Sequence, residues 1–174
     1  WFIGTANNDD STSLITDKVY DRAQILDMDE REDPFTGKDV HAKTIDFATL
    51  TDLFTKARKN KAYQMTINDK ATLKYIDEIN LRTMDITFGN RMETQLDDFV
   101  PVYMACGGTK EGAIDYFLAH KILRKLDEKY DAYVADRLED LIEALNTYYG
   151  EGVFEKCLKK IETIKKRNFN TGDN

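Results

Sequence analysis

Apolar residues recur every three or four positions over most of the chain after residue 44. The first stretch with this spacing contains Phe47, Leu50, Leu53, Phe54 and Ala57. One face of a helix repeats at this interval, so the spacing predicts a helix over about 47–59. The same reasoning predicts further helices over about 69–84, 90–105, 109–128, 131–149 and 153–167. The pattern therefore places the chain in the mainly α class.

Helix-breaking residues separate these segments. They fall at Asp85 to Gly89, at Cys106-Gly107-Gly108, and at Gly150 and Gly152. Glycine commonly ends a helix because it adopts left-handed backbone angles without strain. Asn68 and Thr109 are placed to cap the helices that follow them. Pro101 lies inside the 90–105 segment and is expected to kink it, because proline removes one helical hydrogen bond.

The first 28 residues carry a different pattern. Trp1–Thr5 is apolar and predicts a strand, which a polar turn follows. Asp17–Ala23 predicts a short helix that Thr16 can cap. Gln24–Met28 predicts a second strand. The opening therefore has the order strand, helix, strand, before a polar connector begins at residue 29.

These patterns divide the chain into four regions. They are an opening unit over 1–28, a linker over 29–43, a helical bundle over 44–128 and a C-terminal helical extension over 129–174. No internal repeat is evident. The spacing predicts that the bundle buries one set of apolar side chains, namely Leu50, Phe54, Leu73, Ile76, Leu96, Phe99, Phe117 and Leu118.

The composition excludes several classes of protein. Lysine and arginine total 25 against 32 aspartates and glutamates, giving a net charge of −7. An acidic chain argues against general nucleic-acid binding, which needs a basic face. No apolar run reaches the roughly 18 residues that a membrane span requires. Cys106 and Cys157 lie far apart in sequence, which favours two free thiols in a reducing cytoplasm over a disulfide.

The turn after the first strand carries candidate chemistry. Gly4-Thr5-Ala6-Asn7 would place a carboxamide at the carboxyl edge of that strand, where open α/β sheets bind their ligands. The amide of Asn7 can both donate and accept, so it can orient a water molecule against a terminal phosphate. The alternative is an ordinary strand-to-loop turn with asparagine as its turn residue.

Several catalytic motifs are absent from the sequence. Gly37-Lys38 has Glu32 and Asp39 where a phosphate loop needs a glycine and a hydroxyl residue. The histidines and cysteines share no metal-binding spacing, so no metal site is predicted. A phosphate loop and an acidic metal-binding strand would both be needed to hydrolyse a nucleotide. The chain alone is therefore expected to have no catalytic activity.

The opening resembles one known family. Residues 2–12 read Phe-Ile-Gly-Thr-Ala-Asn-Asn-Asp-Asp-Ser-Thr, and residues 15–23 read Ile-Thr-Asp-Lys-Val-Tyr-Asp-Arg-Ala. Together they resemble the end of an AAA+ ATPase core, most closely the branch that contains the bacterial modification-dependent restriction GTPases. The resemblance implies that Asn7 is the sensor-1 residue and Arg22 the arginine finger. Family members often carry two or three arginines followed by phenylalanine, whereas Asp21 and Ala23 flank Arg22, which leaves a salt-bridged surface arginine as the alternative.

The resemblance continues into the helical lid and covers residues 1 to about 128. Phe88-Gly89-Asn90-Arg91-Met92 is similar to the lid segment whose arginine, called sensor 2, reaches the bound nucleotide. Arginine suits this role because it binds two phosphate oxygens in one plane. On this resemblance Arg91 contacts the nucleotide and is at least partly exposed. The alternative is a local ion pair with Asp85 or Glu93.

The resemblance implies a function for the chain as part of a larger protein. The chain would be the C-terminal remnant of an AAA+ core with its lid, inactive alone and working in a homo-oligomeric ring. ATP or GTP with magnesium would bind the full-length protein, and its missing N-terminal part would be a partner. Trp1–Thr5 and Gln24–Met28 would then lack the phosphate-loop strand that lies between them in the family's sheet. The rival hypothesis is a helical protein-interaction module without a nucleotide role.

Overall fold

A computed structural model of the chain describes residues 3–6, 17–20, 22–26, 28, 37, 44–127 and 132–169. The helices are α1 (Asp17–Tyr20), α2 (Phe47–Lys59), α3 (Ile67–Ile76), α4 (Asn90–Ala105), α5 (Lys110–Phe117), α6 (Ala132–Tyr149) and α7 (Glu155–Phe169). Strands are absent from these residues. The prediction of a mainly α chain is therefore confirmed.

Two of the helices continue beyond their α-helical part. After α3 the chain forms a π-helical turn over Asp77–Leu81 and a 3-10 turn over Arg82–Met84. After α5 it repeats this order, with a π-helical turn over Leu118–Ile122 and a 3-10 turn over Leu123–Leu126. These continuations carry the two helical segments close to the ends predicted for them, near residues 84 and 128.

The six longer helices follow one another as three successive pairs, α2 with α3, α4 with α5, and α6 with α7. Their first helices, α2, α4 and α6, begin at residues 47, 90 and 132, so the unit recurs every 42–43 residues. The first two units also end alike, with Leu81-Arg82-Thr83-Met84-Asp85 matching Leu123-Arg124-Lys125-Leu126-Asp127. The recurrence therefore lies in the positions of helices and turns, while most side chains differ between the units.

Threonine side chains cap the starts of α3 and α5, and the cap of α3 differs from the predicted one. Thr66, not Asn68, caps α3: its hydroxyl accepts from the Asp69 amide at 3.1 Å, and the Asp69 carboxyl accepts from the Thr66 amide at 2.7 Å. This reciprocal pair is a capping box, which satisfies two N–H groups at once. Thr109 caps α5 as predicted, accepting from the Gly112 amide at 3.0 Å.

The apolar core runs through all helices from α3 to α7. Helix α4 packs between α2 and α5, α7 packs on α5 and its continuation, and α6 packs on α7 and on the continuation of α3. Helices α6 and α7 supply core side chains such as Leu138, Leu145 and Ile161. The hydrophobic core is therefore continuous across the predicted boundary at residues 128 and 129.

Most of the predicted core residues are buried. Leu73, Ile76, Leu96, Phe117 and Leu118 are all within the core. The prediction is wrong for Leu50, Phe54 and Phe99, which are only half-buried. Helix α2 lies at the edge of the bundle and packs on α4, so its inner face is covered on one side only.

A buried carboxyl group on α5 caps α7 from 42 residues away. Oδ1 of Asp115 accepts from the Cys157 amide at 2.8 Å, and Oδ2 accepts from the Lys156 amide at 2.9 Å. Helix α7 needs this partner because Phe154, the residue before it, has no polar side-chain atom that could cap the helix. Burial is the main reason that the pKa of the Cys157 thiol is raised, and the negative charge of the nearby Asp115 raises this pKa further. Cys157 and the exposed Cys106 are both free thiols, as predicted.

The opening of the chain differs from its predicted order. Ile3–Thr5 and Gln24–Leu26 have no regular secondary structure, so the strand predictions fail for the part of each segment that is described. The short helix ends at Tyr20 instead of Ala23. A strand needs a neighbouring strand to which it can hydrogen-bond. The described residues contain no strand that could pair with either segment. Trp1, Phe2 and the predicted cap Thr16 lie outside the described residues.

Replacing Phe117 by alanine should cost about 3–5 kcal/mol of unfolding free energy, because its ring is 1% exposed and a cavity would remain. Phe99→Ala should cost less, about 1–2 kcal/mol, because its ring is half-buried. Urea unfolding of both variants beside the unchanged chain measures the difference. Equal losses, or a loss below about 1 kcal/mol for Phe117→Ala, would contradict this core.

Replacing Asp115 by alanine should destabilise the chain by about 2 kcal/mol, because the buried Cys157 amide and the partly buried Lys156 amide would lose their acceptor. Asp115→Asn keeps one acceptor oxygen, so its free energy of unfolding should lie between those of Asp115→Ala and the unchanged chain. The control is Asp140→Ala, which removes an exposed carboxyl group on α6. Hydrogen exchange at the Cys157 amide should accelerate in Asp115→Ala, and an unchanged exchange rate would show that the cap is dispensable.

Candidate functional site

An open groove of about 380 Å³ lies between residues 22–26, α2 and α4. Three of its lining side chains are cations, namely Arg22, Arg58 and Lys121. A single carboxyl group, that of Asp98, belongs to the described lining. The groove therefore carries an excess of positive charge on a chain whose net charge is −7.

One hydrogen bond fastens the N-terminal segment to this groove. The Tyr116 hydroxyl donates to the carbonyl oxygen of Ile25 at 2.6 Å. The Tyr116 ring is itself held between Phe99 and His120, with ring centroids 5.7 Å and 4.0 Å away. This contact places Arg22, three residues before Ile25, at the groove.

Lys121 brings a buried charge to the groove. The residue is 3% exposed and lies in the π-helical turn after α5. Its ammonium group donates to Oε1 of Gln95 at 2.7 Å and lies 5.8 Å from the centre of the Phe117 ring. A buried ammonium group interacts strongly with any anion that reaches it, because the surrounding dielectric is low.

Arg58 and Asp98 join the two helical walls. A guanidinium nitrogen of Arg58 on α2 lies 3.5 Å from a carboxyl oxygen of Asp98 on α4. This separation exceeds the usual 2.7–3.2 Å of an N–H···O hydrogen bond. Because Arg58 and Asp98 are 41% and 58% exposed at the side chain, water screens their attraction. Arg58 can therefore turn toward a stronger anion.

The predicted sensor residue Arg91 lies on the same face of α4 as the groove. It precedes Gln95 by four positions, Asp98 by seven and Val102 by eleven, which are close to one, two and three helical turns. Arg91 is exposed, as expected. The ion pairs found among the described residues do not join it to Asp85 or Glu93, the local partners considered from the sequence.

The start of α4, and with it Arg91, is fixed by a buried aspartate. Asp77 is 4% exposed. It accepts hydrogen bonds from Nε of Arg82 at 3.0 Å, from the Thr87 hydroxyl at 3.0 Å and from the Phe88 amide at 2.7 Å. These contacts tie the non-helical residues before α4 to the π-helical turn after α3. Arg91 therefore stands on a helix start whose position is set from inside the bundle.

The structure brings together part of the predicted site. Arg22 is exposed at the groove and Arg91 lies on the α4 wall beyond it. Asn7 lies outside the described residues. The sequence reasoning did not identify Arg58 or Lys121. A signal existed for Lys121, which follows the core residue Phe117 by one helical turn and so interrupts an apolar face with a charge.

The described parts of the chain also bear on metal binding and on membrane insertion. No group of three or more histidine, cysteine, aspartate or glutamate side chains there could hold a metal ion. None of the helices in those parts is long and apolar enough to cross a membrane.

Comparison with known proteins places the helical part of the chain in a family. The family model that matches is described as a domain of unknown function, DUF8727, and it covers residues 42–172, about three quarters of the chain. Its match begins after the stretch that resembles the AAA+ core. No curated protein and no solved structure matches the chain. The chain belongs to the DUF8727 family.

Proposed function

We propose that this chain is the C-terminal portion of an AAA+ nucleoside triphosphatase and that its helices form the lid that senses the nucleotide through Arg91. The observation that carries the proposal is the setting of Arg91. It is exposed on the first turn of α4, directly after the corner that Asp77 holds. A cation at such a place can approach or leave a bound phosphate as the lid rotates, while its own helix stays intact.

Arginine has the chemistry that this role needs. It stays protonated at any physiological pH and donates two parallel hydrogen bonds to phosphate oxygens. The non-helical residues 85–89 connect the bundle to α4, and Asp85 adopts a left-handed φ of 54° there. Arg91 therefore lies only two residues after Gly89, the last residue of this non-helical connection.

Arg22 has a second role in the proposal. In a ring, the arginine finger of one subunit reaches the nucleotide of its neighbour, where it stabilises the charge on the transferred phosphate. Arg22 is exposed, so its guanidinium group can be offered to another molecule. Asn7, as sensor 1, would orient the attacking water.

Catalysis requires groups that these 174 residues do not contain. The proposal places the phosphate loop and the acidic metal-binding strand in a core outside them, which would bind ATP or GTP with magnesium. The sequence encoded upstream is the first test. A gene whose preceding residues lack both a phosphate loop and an acidic strand would overturn the proposal.

Arg91→Ala, made in the protein that joins this chain to that core, should lower kcat/KM for nucleotide hydrolysis about ten- to a hundredfold. A charge-assisted hydrogen bond of about 1.5–3 kcal/mol accounts for this range. Arg91→Lys keeps the charge but not the paired donors, so it should recover only part of the activity. The 174-residue chain alone should hydrolyse no nucleotide.

The control for this experiment is Lys59→Ala, which removes one exposed positive charge from the end of α2. It should leave hydrolysis unchanged. Circular dichroism and urea unfolding establish that each variant keeps its helices. If Arg91→Ala retains full turnover and nucleotide affinity, the sensor role is wrong.

Asp77→Ala should act on Arg91 indirectly. Losing the acceptor of the Phe88 amide and the Thr87 hydroxyl frees the corner before α4. We expect faster hydrogen exchange at the Phe88 amide and a raised KM for the nucleotide with a smaller change in kcat, since Arg91 keeps its chemistry but loses its position. Combining Asp77→Ala with Arg91→Ala should then add little to the effect of Arg91→Ala alone. Fully additive losses would separate Asp77 from the sensor.

A second candidate function is the helical protein-interaction module. An exposed apolar stripe favours it, because Ile67, Tyr75 and Ile79 lie one or two turns apart on α3 and its continuation. Tyr148 of α6 packs against Tyr75 in a T-shaped arrangement, with ring centroids 5.6 Å apart. Tyrosine and large apolar residues are common at the centres of protein interfaces. This candidate gains if the upstream sequence lacks a phosphate loop and Arg91→Ala has no effect.

A further inference from the structure

We propose that Tyr116 is a positioning residue for Arg22, and that through Tyr116 the helical lid sets where the arginine finger is offered. The inference rests on the proposed role of Arg22 as a finger, and it adds the residue that controls that finger. Its starting point is the hydrogen bond that the Tyr116 hydroxyl on α5 donates to the carbonyl oxygen of Ile25 at 2.6 Å. This bond joins parts of the chain that lie 91 positions apart.

The chain between Arg22 and this hydrogen bond is short. Three residues lead from Arg22 to Ile25, so their Cα atoms lie at most about 11 Å apart. On the other side, the amides of Arg22 and Ala23 both donate to the carbonyl oxygen of Val19, at 3.0 Å and 2.9 Å. Arg22 is therefore held between a closed turn at the end of α1 and the carbonyl group that Tyr116 binds.

Burial alternates along the segment that Tyr116 holds. Ala23 and Ile25 are half-buried, whereas Arg22, Gln24 and Leu26 are exposed. The segment thus lies on the bundle with every second residue partly covered. By fixing the carbonyl group of Ile25, the Tyr116 hydroxyl keeps the segment in the position that leaves Arg22 exposed.

The ring of Tyr116 joins this segment to the helix that carries the proposed sensor. It stacks on Phe99 of α4, with ring centroids 5.7 Å apart, and on His120, with ring centroids 4.0 Å apart. Arg91 precedes Phe99 by eight residues on α4, which is about two helical turns. Pro101 comes after both residues, so regular helix joins them. A movement of α4 that displaces Arg91 therefore also displaces Phe99 and the ring stacked on it.

The consequence is a connection between two nucleotide sites in the proposed ring. Arg91 would contact the nucleotide of its own subunit, and Arg22 would reach the nucleotide of the neighbouring subunit. Closure of one lid would then set the finger at the adjacent site. Because such coupling of binding is reciprocal, engagement of the finger would also favour closure of the lid that holds it.

The first test asks whether the hydroxyl holds the segment. Tyr116→Phe removes the hydroxyl and keeps the ring that stacks on Phe99. In the 174-residue chain, trypsin should cut after Arg22 about two- to tenfold faster in this variant, the range expected for the loss of one net hydrogen bond. Cleavage requires local release of the segment, so its rate follows the population of the released state.

The matched control is Tyr103→Phe. The Tyr103 ring also packs on Phe99, with ring centroids 5.5 Å apart, and its hydroxyl makes no hydrogen bond to the described residues 22–26. This variant should leave the cleavage rate after Arg22 unchanged. The same rate in Tyr116→Phe as in the unchanged chain, or an equal increase in Tyr103→Phe, would overturn the link.

The second test asks whether the link controls the finger. In the protein that joins this chain to its core, Tyr116→Phe should lower kcat about two- to tenfold. KM should change little, because a finger acts on charge that develops in the transition state. Asp77→Ala should instead raise KM. Tyr116→Phe combined with Arg22→Ala should be no slower than Arg22→Ala alone, and additive losses would overturn the proposal.

Arg22→Ala alone separates this inference from the proposed function. If Arg22→Ala leaves kcat unchanged, Arg22 is not a finger, and both the finger role and this inference are wrong. If Arg22→Ala lowers kcat while Tyr116→Phe does not, the finger role stands and this inference alone is wrong, whatever the rate of trypsin cleavage. Circular dichroism and urea unfolding establish that each variant keeps its helices.

Discussion

The bundle depends on a hydrogen-bonded link between helices that are distant in sequence. Helix α7 begins with N–H groups that no local side chain satisfies, and Asp115 of α5 supplies both of its carboxyl oxygens to them. Because the acceptor is buried, water cannot replace it without disrupting the core. Asp115 thereby links α5 to the start of α7, and α7 packs on α5 and its continuation.

Asp77 makes an equivalent link between the continuation of α3 and the start of α4. Its carboxyl group holds the non-helical residues after the α3 continuation, and α4 starts immediately beyond them. Two buried carboxyl groups therefore set where α4 and α7 begin, and apolar packing fills the space between. The groove follows from this arrangement, because α4 is positioned with one face toward the core and an adjoining face toward α2 and the N-terminal segment.

Local patterns predicted the helices of this fold well. The bounds of α2, α4 and α6 lie within one or two residues of those expected, since each has a regular apolar face and a clear stop signal. The cap of α3 was predicted wrongly as Asn68, because Thr66-x-x-Asp69 has aspartate where a capping box usually has glutamate or glutamine. What the sequence could not supply was the packing partner of each helix. The partial exposure of Phe54 follows from the packing of α2 on α4 alone, at the edge of the bundle. The cap of α7 depends on Asp115, which lies 42 residues before Cys157.

The site was less predictable than the fold because its parts come from four separated segments. Arg22, Arg58, Gln95 and Lys121 meet only after α2 packs on α4 and Tyr116 fastens the N-terminal segment. No spacing rule relates them. Arg91 is instead a candidate from the sequence alone, because its neighbours in sequence resemble the lid segment of the AAA+ family, and its role stays a prediction. Arg91 and the α4 part of the groove lining nevertheless lie on one face of α4, because positions 91, 95, 98 and 102 are separated by about one helical turn or two.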